Sequence, residues 1–336
     1  MNVCIVSPGY PETPGGVTDH TARLVRHWTD TGTQVVVLGT ANENPERVVR
    51  EWHRAGVRAI LIQYVPFLYG RRGLSSFPLQ VALHARPSGM RVALFIHEPW
   101  VPPTRLPWLL LSPLQRRQLL RLVRICDTVV TPVPVWRDLL GAKASLMYVG
   151  STLGEPPLPG DETSLPAPVV FSPLASGLNW AWIAEAVEAV GATPGLIVIG
   201  ADWETARRHR RLRRWADPAW EWRGFLERSA VLSLLARARL VLAPFVDGLT
   251  GRRTSALAAA SVGAPLLSSR GHLFDRALET GPFALANTAQ EFRDLAVSLF
   301  ARSRSAASGQ PKLEWYQRHL APAELDQKLL ALLGAQ

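Results

Sequence analysis

From its first residues the chain alternates short, uninterrupted apolar runs with stretches whose apolar residues recur at helical spacing. Val3–Ser7, Gln34–Leu38, Ala59–Gln63, Val92–Ile96, Thr128–Thr131 and Ser145–Val149 read as strands. They are apolar throughout rather than on alternate residues, so both faces need cover, which is what a parallel sheet flanked by helices requires. Over Val17–Asp30, the residues Val17, Ala22, Leu24, Val25 and Trp28 form one helical stripe. Ser112–Arg124 behaves likewise through Leu114, Leu119, Leu122 and Val123. Strand, helix, strand, repeated, predicts a doubly wound α/β unit over residues 1–150.

Residues 151–168 are crowded with proline and lack periodicity, which predicts a linker. The pattern then restarts. Val169–Phe171, Leu196–Ile199, Leu240–Pro244 and Pro265–Ser268 read as strands; Trp180–Val190, Ala230–Ala238, Thr254–Val262 and Gln290–Arg302 read as helices. A second α/β unit is therefore expected over 169–310, with a C-terminal helix over 311–336 crossing back to the first. Two such units would face each other across a cleft at the carboxyl ends of their strands, where open α/β sheets bind ligands.

Composition narrows the class. At 336 residues, 47% hydrophobic and 19% charged, the chain can bury two cores, and disorder is excluded. All but Lys143, Lys312 and Lys328 of its 37 basic residues are arginine, a mark of GC-rich, bacterial-like coding. The net charge of +10, carried on guanidinium, suits bidentate binding of phosphate or carboxylate. Cys4 and Cys126 sit in apolar runs, so neither a disulfide framework nor a zinc site is expected. With no signal-like leader and no spanning segment, the expected location is the cytoplasm, with peripheral contact at the inner face of the membrane left open.

Three segments can carry chemistry. The first strand runs into SPGYPETPGGVTDH, where Gly15 and Gly16 open a helix whose N-terminus favours anions and leads to His20. Its spacing is not that of a dinucleotide fingerprint. After the fourth strand comes His97-Glu98-Pro99-Trp100, a histidine and a carboxylate where open sheets place catalytic groups; the alternative is a packed histidine. The third is APFVDGLTGRRTSALAAASVGAP, residues 243–265. There Asp247, Gly248, Gly251, Arg252 and Arg253 precede Thr254 and Ser255 at a helix start, a diphosphate site in which the hydroxyls cap the helix.

In these residues the chain resembles the retaining glycosyltransferases of the GT-B type, the large group-one family that uses nucleotide sugars. The matching segments are the PGG loop (Pro14-Gly15-Gly16), Ile96–Pro99, the FSPLASGLNWAWIAEAV stretch (Phe171–Val187) and the block Ala243–Ser269. The resemblance implies two Rossmann-like domains, a nucleotide-sugar co-substrate, UDP- or GDP-linked, and no metal or other cofactor. It implies that His97 lines the sugar at the reaction centre and that Asp247 hydrogen-bonds sugar hydroxyls. Gly15, Gly16, Asn179, Gly248, Thr250, Arg252, Arg253, Thr254 and Ser255 would hold the donor. His20, Glu98 and Trp100 would face the acceptor, a saccharide, a lipid-linked molecule or a small molecule. A cation array on the leaving diphosphate, rather than a pair of carboxylates, would carry the chemistry.

The family pattern has two glutamates flanking seven residues. Counting back from Gly263 puts Thr250 and Ala258 there; counting forward from Pro244 makes Asp247 the nearest replacement for the first. The glutamate that grips the ribose is absent, and Asn179 stands beside the place of an expected basic residue. A catalytically degenerate binding or partner subunit is the alternative function. Six arginines at 207, 208, 210, 211, 213 and 214 read as a solvated face or an anion patch, and no nucleic-acid module accompanies them. Trp100–Leu114 reads either as a segment lining the cleft or as one dipping into an anionic membrane. Trp28, Trp180 and Trp182 fall on core stripes.

Overall fold

The computed structural model describes residues 2–104, 106–154, 163–172, 177–210, 212–302 and 306–334. The chain forms two units, Met1–Thr152 with Pro322–Gln336, and Leu153–Ala321. The first contains β1 (Asn2–Val6), α1 (Gly16–Asp30), β2 (Gln34–Leu38), α2 (Pro45–Arg54), β3 (Val57–Tyr64) and α3 (Phe77–Ala85). It continues through β4 (Arg91–Ile96), α4 (Leu106–Ile125), β5 (Thr128–Thr131), α5 (Pro134–Leu140) and β6 (Ala144–Leu146). The second contains β7 (Val169–Phe171), α6 (Trp180–Val190), β8 (Ile197–Ile199), α7 (Trp203–Arg208), β9 (Glu221–Trp222) and α8 (Arg228–Arg237). It continues through β10 (Val241–Ala243), α9 (Thr254–Ser261), β11 (Leu266–Ser269), β12 (Phe283–Ala286), α10 (Ala289–Ala301) and α11 (Ala306–Leu320). The last helix, α12 (Pro322–Leu332), returns to the first unit.

Each unit is built on a six-stranded sheet with parallel pairing throughout, in the orders β2-β1-β3-β4-β5-β6 and β12-β11-β10-β7-β8-β9. These orders decide where a ligand can sit. In the first sheet the chain leaves β1 toward β2 and resumes on the other side at β3, so the loops beyond β1 and β3 diverge. In the second it runs from β7 outward through β8 and β9, then from β10 outward through β11 and β12, so the loops beyond β7 and β10 diverge. Such switch points open a crevice at the carboxyl ends of the strands.

The continuous apolar runs are explained by burial on both faces. Cys4, Val6, Ile60, Ile62, Leu94 and Ile96 pack toward α3 and α4, whereas Val3, Ile5, Leu61 and Phe95 pack toward α1 and α12. Both cysteines are buried and free, and burial pushes the Cys126 thiol up to about 12. Trp28 and Trp180 are core residues, and Trp182 packs on Phe292 at 5.7 Å.

The structure corrects several expectations. Strand β2 is apolar but lies at the sheet edge, and its Val36 is 46% exposed, so it is not covered on both faces. The C-terminal segment is two helices, not one. Pro322, which cannot donate to the preceding turn, ends α11 and starts α12. Helix α4 begins at Leu106, before the expected Ser112, because Pro107 falls in its first turn and Pro113 lies on its exposed side. Part of the expected linker, residues 155–162, lies outside the described residues.

The return of α12 is fixed by a buried ion pair. Arg23 on α1 donates from Nε and Nη2 to the two carboxylate oxygens of Asp326, at 3.0 and 2.6 Å, and from Nη1 to the Ser151 carbonyl at 2.8 Å. Beside it the Trp28 indole donates to the Asp326 carbonyl at 3.0 Å, and Leu325, Leu329 and Leu333 enter the core. Arg23 and Asp326 lie 303 positions apart, so the pair joins the two ends of the chain.

Candidate functional site

In the first unit, the β1–α1 loop ends at Gly15, which has extended backbone and caps α1 without a side-chain bond. Nothing lies within 4 Å of the point where a Cβ on Gly15 would sit. Packing therefore does not demand glycine there, and an open backbone at the N-terminus of a 15-residue helix is a surface to which an anion can come close. One turn into α1, His20 is 1% exposed. Its ring lies 4.9 Å from Phe95 and 5.3 Å from His97.

His97 follows β4, buried and stacked on Phe95 at 4.6 Å. Its Nε2 lies 2.6 Å from Oε1 of Gln63, whose own amide nitrogen lies 3.5 Å from Nδ1 of His20. An amide oxygen only accepts, so this contact assigns the proton to Nε2 of His97. Burial, and then the nearby positive charge of Arg23 and the His97 ring, hold the His20 imidazole well below its ordinary value, so His20 is neutral. His20 thus stands behind His97 rather than on an open acceptor face. Glu98 is exposed, and Trp100 is half-buried under the Arg116 guanidinium at 5.5 Å. Gln63 was not among the expected site residues: a single polar residue ending an apolar strand carries no motif.

In the second unit, the diverging loops beyond β7 and β10 lie together. Leu178 and Phe245 form an isolated antiparallel bridge, and Val246 donates to the Gly177 carbonyl at 2.9 Å. Asn179 caps α6, its side chain accepting from the Trp182 amide at 3.4 Å while its backbone N–H donates to the Pro244 carbonyl at 2.7 Å. The preceding 173–176 of the expected donor-side stretch lie outside the described residues. Two helix N-termini, those of α6 and α9, therefore flank the loop that carries Asp247.

Asp247 accepts from Arg252 on one carboxylate oxygen and from Arg253 on the other. Arg253 also stacks over Phe245 at 4.4 Å. Burial alone would push the Asp247 carboxyl up, but attraction from Arg253 and Arg252 and their hydrogen bonds outweighs it and holds the group below the usual carboxylate range. A depressed carboxylate stabilises the fold above its unfolded pKa, and the contribution disappears as pH falls through the folded value. Two guanidiniums thus converge on one carboxylate in the loop beyond β10. Thr250, beside them, is fully buried, and its hydroxyl has no hydrogen-bond partner. One correction concerns the cap: Arg253, not a hydroxyl residue, occupies the N-cap of α9, and Thr254 and Ser255 are its first helical residues with no side-chain cap bond.

The loop is held by backbone. Gly248 has φ +95°, and a Cβ there would come 2.6 Å from the Gly271 nitrogen; a Cβ on Gly271 would come 2.4 Å from the Asp247 carbonyl carbon. The loops beyond β10 and β11 thus rest directly on one another, with Leu273 donating to the Asp247 carbonyl at 2.9 Å and Leu249 donating to that of Ser269 at 3.0 Å. Gly248→Ala is expected to cost at least about 1–3 kcal/mol from strain alone, and calorimetric unfolding of the second unit checks it.

Other expected features resolve simply. Arg207 and Arg208 pair with Glu204, and Arg214 lies over Trp215 at 4.7 Å, so the arginine run is a solvated face; Arg211 lies outside the described residues. Among the described residues no cluster of His, Cys, Asp and Glu could hold a metal ion. No described helix is long and apolar enough to cross a membrane.

No protein-family model matches the sequence, and no curated protein matches it either. Solved structures do match. AviGT4, a glycosyltransferase involved in avilamycin A biosynthesis, superposes with a TM-score of 0.64 at 16% identity over 99% of this chain and 97% of its own. An alpha-glucosyltransferase solved with UDP and a 13-mer DNA gives 0.65 at 11% identity over 99% of each chain. A putative UDP-N-acetylglucosamine 2-epimerase from Listeria monocytogenes gives 0.57 at 12% identity over 99% and 96%. At these identities the likeness concerns architecture. Two six-stranded parallel sheets, each with its switch point, matched from end to end by these structures, give the chain the GT-B fold.

Proposed function

We propose that the protein transfers a sugar from a nucleotide-sugar donor to an acceptor with retention at the anomeric carbon, without a metal ion. The observation that carries this reading is the second-unit crevice: Arg252, Arg253 and the unpartnered Thr250 hydroxyl between the N-termini of α6 and α9. That set suits a diphosphate, because charge-assisted bonds and two helix dipoles meet a ligand carrying several negative oxygens. UDP- and GDP-linked sugars are the donors of this class. The anomeric C–O bond breaks, its electron pair leaves with the nucleoside diphosphate, and the arginines stabilise that leaving charge. The acceptor oxygen then bonds to the same face of the sugar and gives up its proton to the departing phosphate.

In this reading His97 meets the sugar, and Gln63 is a positioning residue that orients it. The acceptor is a saccharide, a lipid-linked molecule or a small molecule. His97→Ala is expected to lower turnover at least about a hundred-fold, the scale of losing one fixed polar group at a reaction centre, while leaving nucleotide affinity unchanged. Gln63→Leu should lower kcat with little change in KM.

Proton NMR of the protein incubated with UDP- and GDP-sugars tests the reading. Slow release of free sugar and nucleoside diphosphate without acceptor, lost in His97→Ala, is the expected result. A new nucleotide sugar epimerised on the ring would assign the fold to the other chemistry found among its structural neighbours, that of the 2-epimerase. Nucleotide binding with no turnover under any condition would favour the binding-subunit alternative.

A further inference from the structure

The first two and a half turns of α4 expose leucine where a solvated helix carries charge. Leu106 is 75% exposed, Leu110 72%, Leu114 52% and Leu109 50%. Positions 106, 110, 114, 117 and 121 follow one another at helical spacing along a single face, so the line reads Leu, Leu, Leu, Arg117, Arg121. Among the described residues no carboxylate pairs with Arg117 or Arg121, although exposed arginines elsewhere, such as Arg47 and Arg50, do find one. The reason is compositional. Residues 65–126 contain nine arginines and no lysine or aspartate, and Glu98 is the one acid, a net +8.

Beside this face lies a cavity of about 620 Å³ between α4 and the entry to α3. Arg117 and Arg121 line one wall with Leu114, and Ser75, Ser76 and Leu79 line another. Ser76 stands at the N-cap of α3 without a side-chain cap bond. An apolar tip, a cationic shoulder and a groove that offers both guanidinium and apolar wall are therefore contiguous on one helix.

We propose that this face docks the protein on the surface of an anionic phospholipid bilayer. Leu106, Leu109, Leu110 and Leu114 enter the acyl boundary, and the groove takes a lipid phosphate at Arg117 and Arg121. The order along the helix matches the order across an interface: apolar residues reach hydrocarbon while arginines remain at phosphate depth. A soluble partner of ordinary composition would not require that graded order, and an acidic protein would be met by arginine without four bare leucines. Only the N-terminal turns of the helix dip into the interface, and the helix does not cross the bilayer. The proposal is independent of sugar transfer.

The test is flotation of the full-length chain with phosphatidylcholine vesicles, with and without phosphatidylglycerol, at low and high salt. Binding to the anionic vesicles, weakened by salt, is expected. Arg117→Gln with Arg121→Gln should reduce it by roughly five-fold per arginine, and Leu106→Ser with Leu110→Ser by at least roughly ten-fold. These side chains are exposed, so all variants should melt as the parent does and bind nucleotide as it does, which separates this outcome from that of the sugar-transfer reading. Failure of the parent chain to bind anionic vesicles, equal binding to neutral ones, or unchanged binding by either double variant overturns the proposal. So does a concentration-dependent dimer, seen by light scattering and lost in the leucine variant, with no vesicle binding, which would assign the face to a second copy of the chain.

Discussion

Arg252→Ala combined with Arg253→Ala is expected to weaken binding of the nucleoside diphosphate by about 2–4 kcal/mol, or roughly 30- to 1,000-fold in Kd. Both guanidiniums converge on one carboxylate in the loop beyond β10, at the switch point of the second sheet, and a diphosphate offers them more oxygen and more charge than Asp247 does. Truncating both also strands that carboxylate, which is largely buried. Loss of stability and loss of affinity must therefore be separated. Adding Asp247→Asn to the double variant removes the stranded charge; the melting temperature should then recover while affinity stays low. Titration calorimetry reads the affinity. Nucleotide binding by the double variant that equals the parent's would remove the phosphate assignment.

The second large effect lies far from that site. Asp326→Ala should destabilise the first unit by about 3–5 kcal/mol, because it leaves Arg23 buried with only a carbonyl to meet its charge. The joint change Arg23→Leu with Asp326→Leu should come close to neutral, since two apolar side chains remove the desolvation penalty along with the attraction. Differential scanning calorimetry of the whole chain is the appropriate measurement, because two units need not unfold as one transition. A small effect of Asp326→Ala would mean that the leucines of α12, not the ion pair, hold the helix in place.

How much could be read beforehand follows from how local each cause is. Ten of the twelve strands were legible because each announces itself within a few residues, and the loops beyond β1, β4 and β10 because glycine, histidine and arginine fall at strand ends. Gln63 was not legible. It sits in an apolar run, and only the pairing of β3 with β4 brings it to His97. Gly271 was missed for the same reason, since its contact with Asp247 exists only once β10 and β11 are neighbours. The Arg23–Asp326 pair joins residues 303 positions apart, beyond any periodicity.

Strands β9 and β12 illustrate a different limit. Glu221–Trp222 and Phe283–Ala286 are the outermost strands of the second sheet and need only a few residues to pair with one neighbour. Helix α2, with the sequence PERVVREWHR, is mostly polar and presents just Val48, Val49 and Trp52 to the core. Helix α4 misled in the opposite sense. Pro107 falls in its first turn and Pro113 faces solvent, so neither ends the helix.

Titration calorimetry of the full-length protein with UDP and with GDP, in the presence of a metal chelator, tests the central claim most directly. The account predicts one-to-one binding of at least one of them without metal, and loss of that binding in Arg252→Ala with Arg253→Ala. Absence of binding by both nucleotides, or binding that requires a divalent cation, would contradict it.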